Sequence, residues 1–485
     1  MRSITVVEVR PALNLVANLL RWFGLSFLVP LGVALFYGEP VWPFAVPAAL
    51  AVGLGGAGER LTRSRALLGV REGFLVVCLA WVGIAAFGAL PYLFEGHPWV
   101  DAFFESVSGF TTTGATVLTD LADKPRSLLL WRQFSQWLGG MGIIVLAVAM
   151  LPKLGVGGRQ LMEAEAPGPQ VDNLKPHLYQ TARALWKLYV GLTAAEFALL
   201  WWAGMSPFDS VAHAFTTMAT GGFSPSPTSL AAYGPAAQWV VIAFMVIAGT
   251  NFALLYRVAT GQFRAVRRNS EFLFYLSLLA CSGVLLALLL GEGALEGRLR
   301  HGLFQATSIM TGTGYASADF NQWGEALKLI LLLLMFFGGC AGSTTGSVKV
   351  VRALLSFKFI AREIRKVVHP NAVIPIRLGR RTVPESALSG ILSFLVLYIT
   401  TFAVGSVLLL LDAHWSGRPL SLFEGIGVAA SALGNVGPAF GVAGPMASYA
   451  EFSDASKHLL TLLMVAGRLE LFPVIVLLTR GYWTR

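Results

Sequence analysis

The chain has 485 residues, 55% hydrophobic and 13% charged, with a mean hydropathy of +0.66. A water-soluble domain carries about 25% charged residues, so a soluble globular protein is excluded. The apolar runs are continuous rather than alternating, which excludes a β-barrel and leaves helices of the roughly 20 residues that cross a bilayer.

Two apolar runs, 13–37 and one starting at residue 42, come first. A pattern of span, polar loop and span then recurs. The spans are expected over 73–94 and 128–151, 185–203 and 239–256, 272–290 and 326–337, and 388–411 and 459–478. The predicted fold class is an all-α integral membrane protein with four pseudo-symmetric helix–pore-loop–helix repeats around one ion pore. Two extra N-terminal transmembrane helices bring the expected number of spanning helices to about ten. The domain division that follows is 1–68 for the N-terminal pair, then 69–165, 166–268, 269–375 and 376–485 for the repeats.

Each of the four loops carries one related stretch: 106–116 (SVSGFTTTGAT), 214–224 (AFTTMATGGFS), 306–316 (ATSIMTGTGYA) and 429–439 (AASALGNVGPA). Written one above the other without gaps, they align Gly114, Gly222, Gly314 and Gly437. The period is about 100 residues, and a repeat on this scale organises everything around it.

The composition of these stretches points to a cation. An ion entering a membrane must exchange its water shell for something equally polar, and backbone carbonyls do so without adding net charge. Irregular backbone at membrane depth is tolerated only where it lines a cavity. Glycine permits the angles that aim successive carbonyls inward. The runs just before the loops, such as 103–110 and 423–433, are too short to span. They read as half-helices whose C-terminal ends aim partial negative charge at the pore. The loop cores carry no carboxylate, which argues against an acidic divalent-cation ring and for a monovalent, carbonyl-coordinated ion.

The net charge of +10 is placed, not spread. Between the repeats stand Arg60, Arg63, Arg65 and Arg71; Lys153, Arg159, Lys175 and Arg183; and Arg257, Arg264, Arg267 and Arg268. The segment 349–381 is richer still, with Lys358, Arg362, Arg365, Lys366, Arg377, Arg380 and Arg381. The positive-inside rule makes these connectors cytoplasmic, with both termini, and opens the glycine loops outward. No nucleic-acid partner is needed to explain the charge. Cys78, Cys281 and Cys340 lie far apart in apolar runs, so neither a disulfide framework nor a zinc site is expected. The GLGGAG run at 53–58 matches a dinucleotide fingerprint but has no strand–helix unit around it, so no nucleotide site is expected in this chain. No nucleophile with a base, paired acids or metal helix appears, and the expectation is that the chain is not an enzyme.

Two features read as a gate. After residue 337, Gly338, Gly339, Gly342 and Gly346 alternate with Ser343, Thr344, Thr345 and Ser347. Each interior glycine costs a helix about 1 kcal/mol relative to alanine, so this stretch is expected to be an intramembrane loop below the filter, the alternative being a small-residue packing face. Arg468 stands within the last apolar span. It is costly there unless it faces water or a partner, and reads either as a pore-facing charge that repels cations or as half of a structural ion pair. Glu470, two residues on, does not share its helix face. Lys349, just past the glycine-rich break, reads either as a residue lining the inner mouth or as a positive-inside anchor, and Trp131, Trp137, Trp239, Trp323 and Trp415 as interfacial anchors.

The motifs TTTGA, ATGGF, TGTGY and GNVGP, with QWLGGMGIIVLAVAMLP at 136–152 and GGCAGSTTGSVKVVR at 338–352, resemble those of the Trk/Ktr/HKT superfamily of potassium transporters. The resemblance covers about the whole chain, and the two extra N-terminal helices favour the Trk branch. It implies potassium uptake across a bacterial inner membrane, with potassium as cargo, by a homodimer regulated by a cytoplasmic, TrkA-like nucleotide-binding ring. Carried over, the coordinating carbonyls would be those of Thr112, Thr113 and Gly114; Thr220, Gly221 and Gly222; Gly312, Thr313 and Gly314; and Asn435, Val436 and Gly437. The gate would be the 338–347 loop with Arg468. The alternative is a sodium-permeable or sodium-coupled member of the same superfamily. In some plant relatives a serine at the first filter glycine goes with sodium preference, and Gly114 favours potassium.

Overall fold

The computed structural model describes residues 7–64, 69–149, 174–291, 293–379 and 381–484. Arg65, Lys153, Arg159 and Arg380 of the basic connectors, the end of the span expected to reach residue 151, and the boundaries expected after 68 and 165 lie outside them.

The described chain is helical apart from turns and one two-residue hairpin, in which Arg377–Leu378 pairs antiparallel with Arg381–Thr382. Four short helices, Trp99–Phe110, Pro207–Met218, Leu295–Met310 and Leu422–Gly434, each lie in sequence between apolar ones. Their starts are written locally. Pro98 precedes the first, Ser206 caps the second with Pro207 in its opening turn, and Ser421 with Glu424 forms a capping box on the fourth.

Five helices are long and apolar enough to cross a membrane: Val9–Tyr37, Val70–Phe94, Gln180–Trp202, Ser270–Leu289 and Glu385–Trp415. Two bent pairs raise the number to seven among the described residues. Their outward faces are apolar, with Trp202, Phe36, Val396 and Leu288 exposed. Such a surface suits lipid rather than water. The chain is a multi-pass membrane protein.

Two expected spans are broken, and in each the backbone gives the reason. The span expected over 239–256 is Pro235–Ala248 followed by Phe252–Ala259, bent by 106°. Gly249 leaves the helix so that its carbonyl accepts from the Cys340 amide at 2.8 Å, and Asn251 caps the second piece. The span expected over 459–478 is Asp454–Arg468 followed by Phe472–Leu478, bent by 117°. Glu470 and Leu471 there hold left-handed backbones, φ +59° and +63°, which no helix continues. Arg468 therefore ends a helix instead of sitting inside one. Part of the 349–381 connector is the helix Val350–Val368, whose first turn is buried against the core.

The N-terminal helices pack closely: a Cβ on Gly55 would lie 2.6 Å from the Arg21 amide nitrogen. The 53–58 glycines thus belong to the helix Trp42–Leu61, and Gly55 among them serves contact between backbones. Trp131 is not an interfacial anchor. It is fully buried, stacks on Phe27 and donates to the Gly88 carbonyl at 3.0 Å. Trp131→Phe keeps an aromatic side chain but removes the indole N–H and leaves that carbonyl unpaired, which costs about 1–3 kcal/mol. Its unfolding midpoint in detergent is expected to fall while flux per folded molecule holds.

Candidate functional site

Each short helix ends in the same way. Thr112, Thr220, Gly312 and Asn435 follow their helices with φ of 53°, 53°, 71° and 55°. The next amide reaches back toward the last turn in three of them, Thr113 N to Ser108 O, Gly221 N to Thr216 O and Val436 N to Ser431 O at 2.8–2.9 Å, and in the third turn the amide one further on does so, Gly314 N to Ser308 O at 3.2 Å. This is the Schellman pattern of helix termination, built three times out of four on a residue with a side chain. Thr112 and Thr220 each cost about 1–2 kcal/mol there relative to a right-handed residue. Two residues further on, Gly114, Gly222, Gly314 and Gly437 are also left-handed, at φ of 85°, 79°, 77° and 100°. Each turn therefore runs positive, not positive, positive φ, a repeated departure from strand geometry, in which carbonyls would alternate.

The four turns close into a ring. A Cβ on Gly114 would lie 2.2 Å from the carbonyl oxygen of Gly221 in the second turn. One on Gly222 would lie 1.9 Å from Thr313 O in the third, one on Gly314 1.9 Å from Val436 O in the fourth, and one on Gly437 2.5 Å from Thr113 O in the first. All twelve residues named from the sequence thus come together. Glycine is required twice over at the four aligned positions, by backbone angle and by a neighbour's carbonyl. The turn threonines bond within their own turns: Thr111 with Thr113 and Thr311 with Thr313, each at 2.7 Å. Asn435 crosses to the first turn through Thr113 Oγ1 at 3.0 Å. Thr112 Oγ1 and Asn435 Oδ1 are buried without a partner, oxygens free to meet water or a cation.

Side chains from outside the turns complete the ring. The Gln136 amide donates to Gly221 O at 2.6 Å and accepts from Phe223 N at 3.1 Å. Tyr449 donates its hydroxyl to Gly437 O at 2.7 Å, while its amide donates to Thr116 O at 2.8 Å. Asn321 exchanges two 3.0 Å bonds with the Gly441 backbone, and Ser229 Oγ accepts from Ala316 N at 3.1 Å. Gly221 and Gly437 carbonyls each keep a second lone pair. On the other side, Gly139 packs against the end of the first short helix, with Phe110 O at 2.0 Å from its Cβ position.

The glycine-rich stretch is an irregular, densely bonded loop. Gly338 N donates to Val348 O and Val350 N to Gly339 O, while Thr345 Oγ1 accepts from Gly339 N at 2.9 Å. Ser343 bonds Cys340 O, and Thr344 Oγ1 bonds Ala248 O. The hydroxyls satisfy the freed backbone, as their density predicts. The loop touches the turns: a Cβ on Gly346 would lie 2.4 Å from Gly434 O, and Thr220 Oγ1 stands 3.3 Å from Thr344 Oγ1. Arg468, buried, donates to Thr344 O at 2.7 Å and more weakly to Gly139 O at 3.4 Å. Glu470 instead pairs with Arg352. Lys349 is no interfacial anchor: it is buried and its ammonium caps Thr345 O.

The chain matches the TrkH family model, described as a cation transport protein, over residues 54–481. It belongs to the TrkH family. It is 40% identical over 432 residues to the Trk system potassium uptake protein TrkH of Salmonella typhimurium, covering 87% of this chain and 88% of that one. It is 37% identical to the protein of the same name from Halomonas elongata over 99% of this chain and all of that one. Its fold matches the crystal structure of the potassium transporter TrkH from Vibrio parahaemolyticus with a TM-score of 0.89 at 34% identity, covering 98% of this chain and 100% of that one. The TrkH family is one of transporters, not of enzymes.

Sequence reasoning missed most of the residues that hold this TrkH-family ring together. Gln136 stood inside a quoted motif without a role. Asn321 and Tyr449 carry no spacing signal, since they act on turns 120 and 12 residues away.

Proposed function

We propose that this chain takes up potassium across the bacterial inner membrane through a selectivity filter formed by the four glycine turns. The cyclic approach of each turn's middle carbonyl to the preceding turn's glycine carries this reading. A ring of neutral oxygens can replace a monovalent ion's hydration shell, and the twelve residues Thr112–Gly114, Thr220–Gly222, Gly312–Gly314 and Asn435–Gly437 would supply it by their carbonyls. The names of the relatives support potassium as the cargo.

In this reading four pseudo-symmetric units surround the pore, and the 338–347 loop with Arg468 closes it below the filter. The bonds from Arg468 to Thr344 and from Thr220 to Thr344 support that closure. The basic connectors face the cytoplasm, where a TrkA-like nucleotide-binding ring docks on a homodimer of this chain.

Growth of a strain lacking potassium uptake systems tests the proposal. The parent chain, expressed with a ring subunit, is expected to restore growth at low potassium. Gly437→Ser, whose side chain would meet Thr113 O, is expected to need at least tenfold more potassium. Equal growth with both proteins present in the membrane would remove the filter from these turns.

A further inference from the structure

Behind the outer mouth lies an ion pair that no transport role yet uses. Glu105 stands on the first short helix and Arg132 on Arg126–Ala149, and both side chains are buried, 0% and 1% exposed. Arg132 Nε donates to Glu105 Oε1 at 2.8 Å. A buried ion pair is a poor source of stability, because desolvation offsets most of the attraction. Such a pair is retained when its remaining lone pairs and protons are spent on something specific, and here they are spent on the backbone that leaves the ring.

Glu105 Oε2 accepts from Val117 N at 3.0 Å, and both its oxygens lie 3.0 Å from Thr116 Oγ1. Arg132 Nη2 donates to Thr116 Oγ1 at 3.1 Å and Nη1 reaches Ser224 O at 3.4 Å, while the guanidinium lies over the Phe223 ring at 4.2 Å. Thr116 and Ser224 each follow their aligned glycine by two residues. Thr116 extends the connection to the fourth turn, since its carbonyl accepts from Tyr449 N and Tyr449 holds Gly437 O. One buried pair thus reaches the exits of three turns.

We infer that Glu105 and Arg132 are positioning residues that hold the first, second and fourth turns in register and so set how sharply the ring discriminates between potassium and sodium. The inference rests on the potassium filter proposed above. A site that selects by geometry needs its groups held within about 0.5 Å. Because the pair is neutral as a whole, it does this without adding charge beside the ion path.

The test uses the full chain purified and reconstituted in vesicles, with potassium and sodium flux measured against concentration. Thr116→Val removes the shared hydroxyl and strands no charge; Glu105→Gln removes the carboxylate charge. In Thr116→Val the potassium concentration for half-maximal flux is expected to rise at least threefold. The potassium-to-sodium flux ratio should fall at least threefold, with the yield of monodisperse protein unchanged. Glu105→Gln is expected to move both readouts further, and should it fail to assemble, Thr116→Val decides alone. Monodisperse Thr116→Val with both readouts at parental values would overturn the inference, because a pair that only pins helices together would not move them. A parent that carries no potassium would remove the filter proposal itself, and this inference with it. An active parent beside an unaltered variant removes this inference only.

Discussion

Gly222→Ala is expected to lower potassium uptake at least tenfold while the protein still reaches the membrane. The added methyl meets two obstacles. Gly222 holds φ +79°, a conformation that costs an L-residue about 1–2 kcal/mol. Its Cβ would also lie 1.9 Å from the carbonyl oxygen of Thr313, more than an ångström inside contact distance. That oxygen belongs to the backbone of the next turn, so relief requires the ring itself to open. Gly390→Ala, in the span Glu385–Trp415 with nothing within 4 Å of its Cβ position, is the matched control and should transport as the parent does. Uptake of rubidium-86 by cells, normalised to membrane-inserted protein, compares the two.

Arg468→Met is expected to raise flux in the absence of any regulatory subunit by about tenfold. Methionine approximates the stem but removes the donor to Thr344 O. A hydrogen bond from a charged group is worth about 1.5–3 kcal/mol, and about 1.4 kcal/mol is a factor of ten in an equilibrium, so the closed arrangement of the loop should lose at least that factor. In the proposed gate, the substitution also removes a positive charge that would repel cations below the filter. Flux per molecule in vesicles containing the chain alone measures this. A drop in folded protein without a rise in flux per molecule would assign Arg468 to helix packing instead.

The ring was legible in the sequence because four glycines recurred at one register, and recurrence does not depend on which residues surround it. Its left-handed turns were only partly legible. Asn435 is a residue that visits that conformation readily, whereas Thr112 and Thr220 adopt it only because the surrounding turns hold them there. The two broken spans stayed hidden for a different reason. Hydropathy along 239–256 and 459–478 measures how apolar a stretch is and says nothing about where its axis bends. The breaks are set by the Gly249 carbonyl turning toward Cys340 and by the strained pair Glu470–Leu471. Trp131 was misread because its type favours interfaces, while a tertiary partner at Gly88 draws it inward, and the anchor reading of Lys349 failed because the nearby loop carbonyl of Thr345 holds its ammonium. Contacts between turns, such as Asn321 with Gly441, follow from the closed ring and could not be foreseen before it.

The most direct test is the zero-current potential of the purified parent chain in a bilayer with potassium on one side and sodium on the other. A backbone ring of four unequal turns predicts a potential that favours potassium clearly, yet falls short of the discrimination of a symmetric potassium channel, and that collapses toward zero in Gly222→Ala. A parental potential at zero, or one favouring sodium, would contradict a potassium filter built from these four turns.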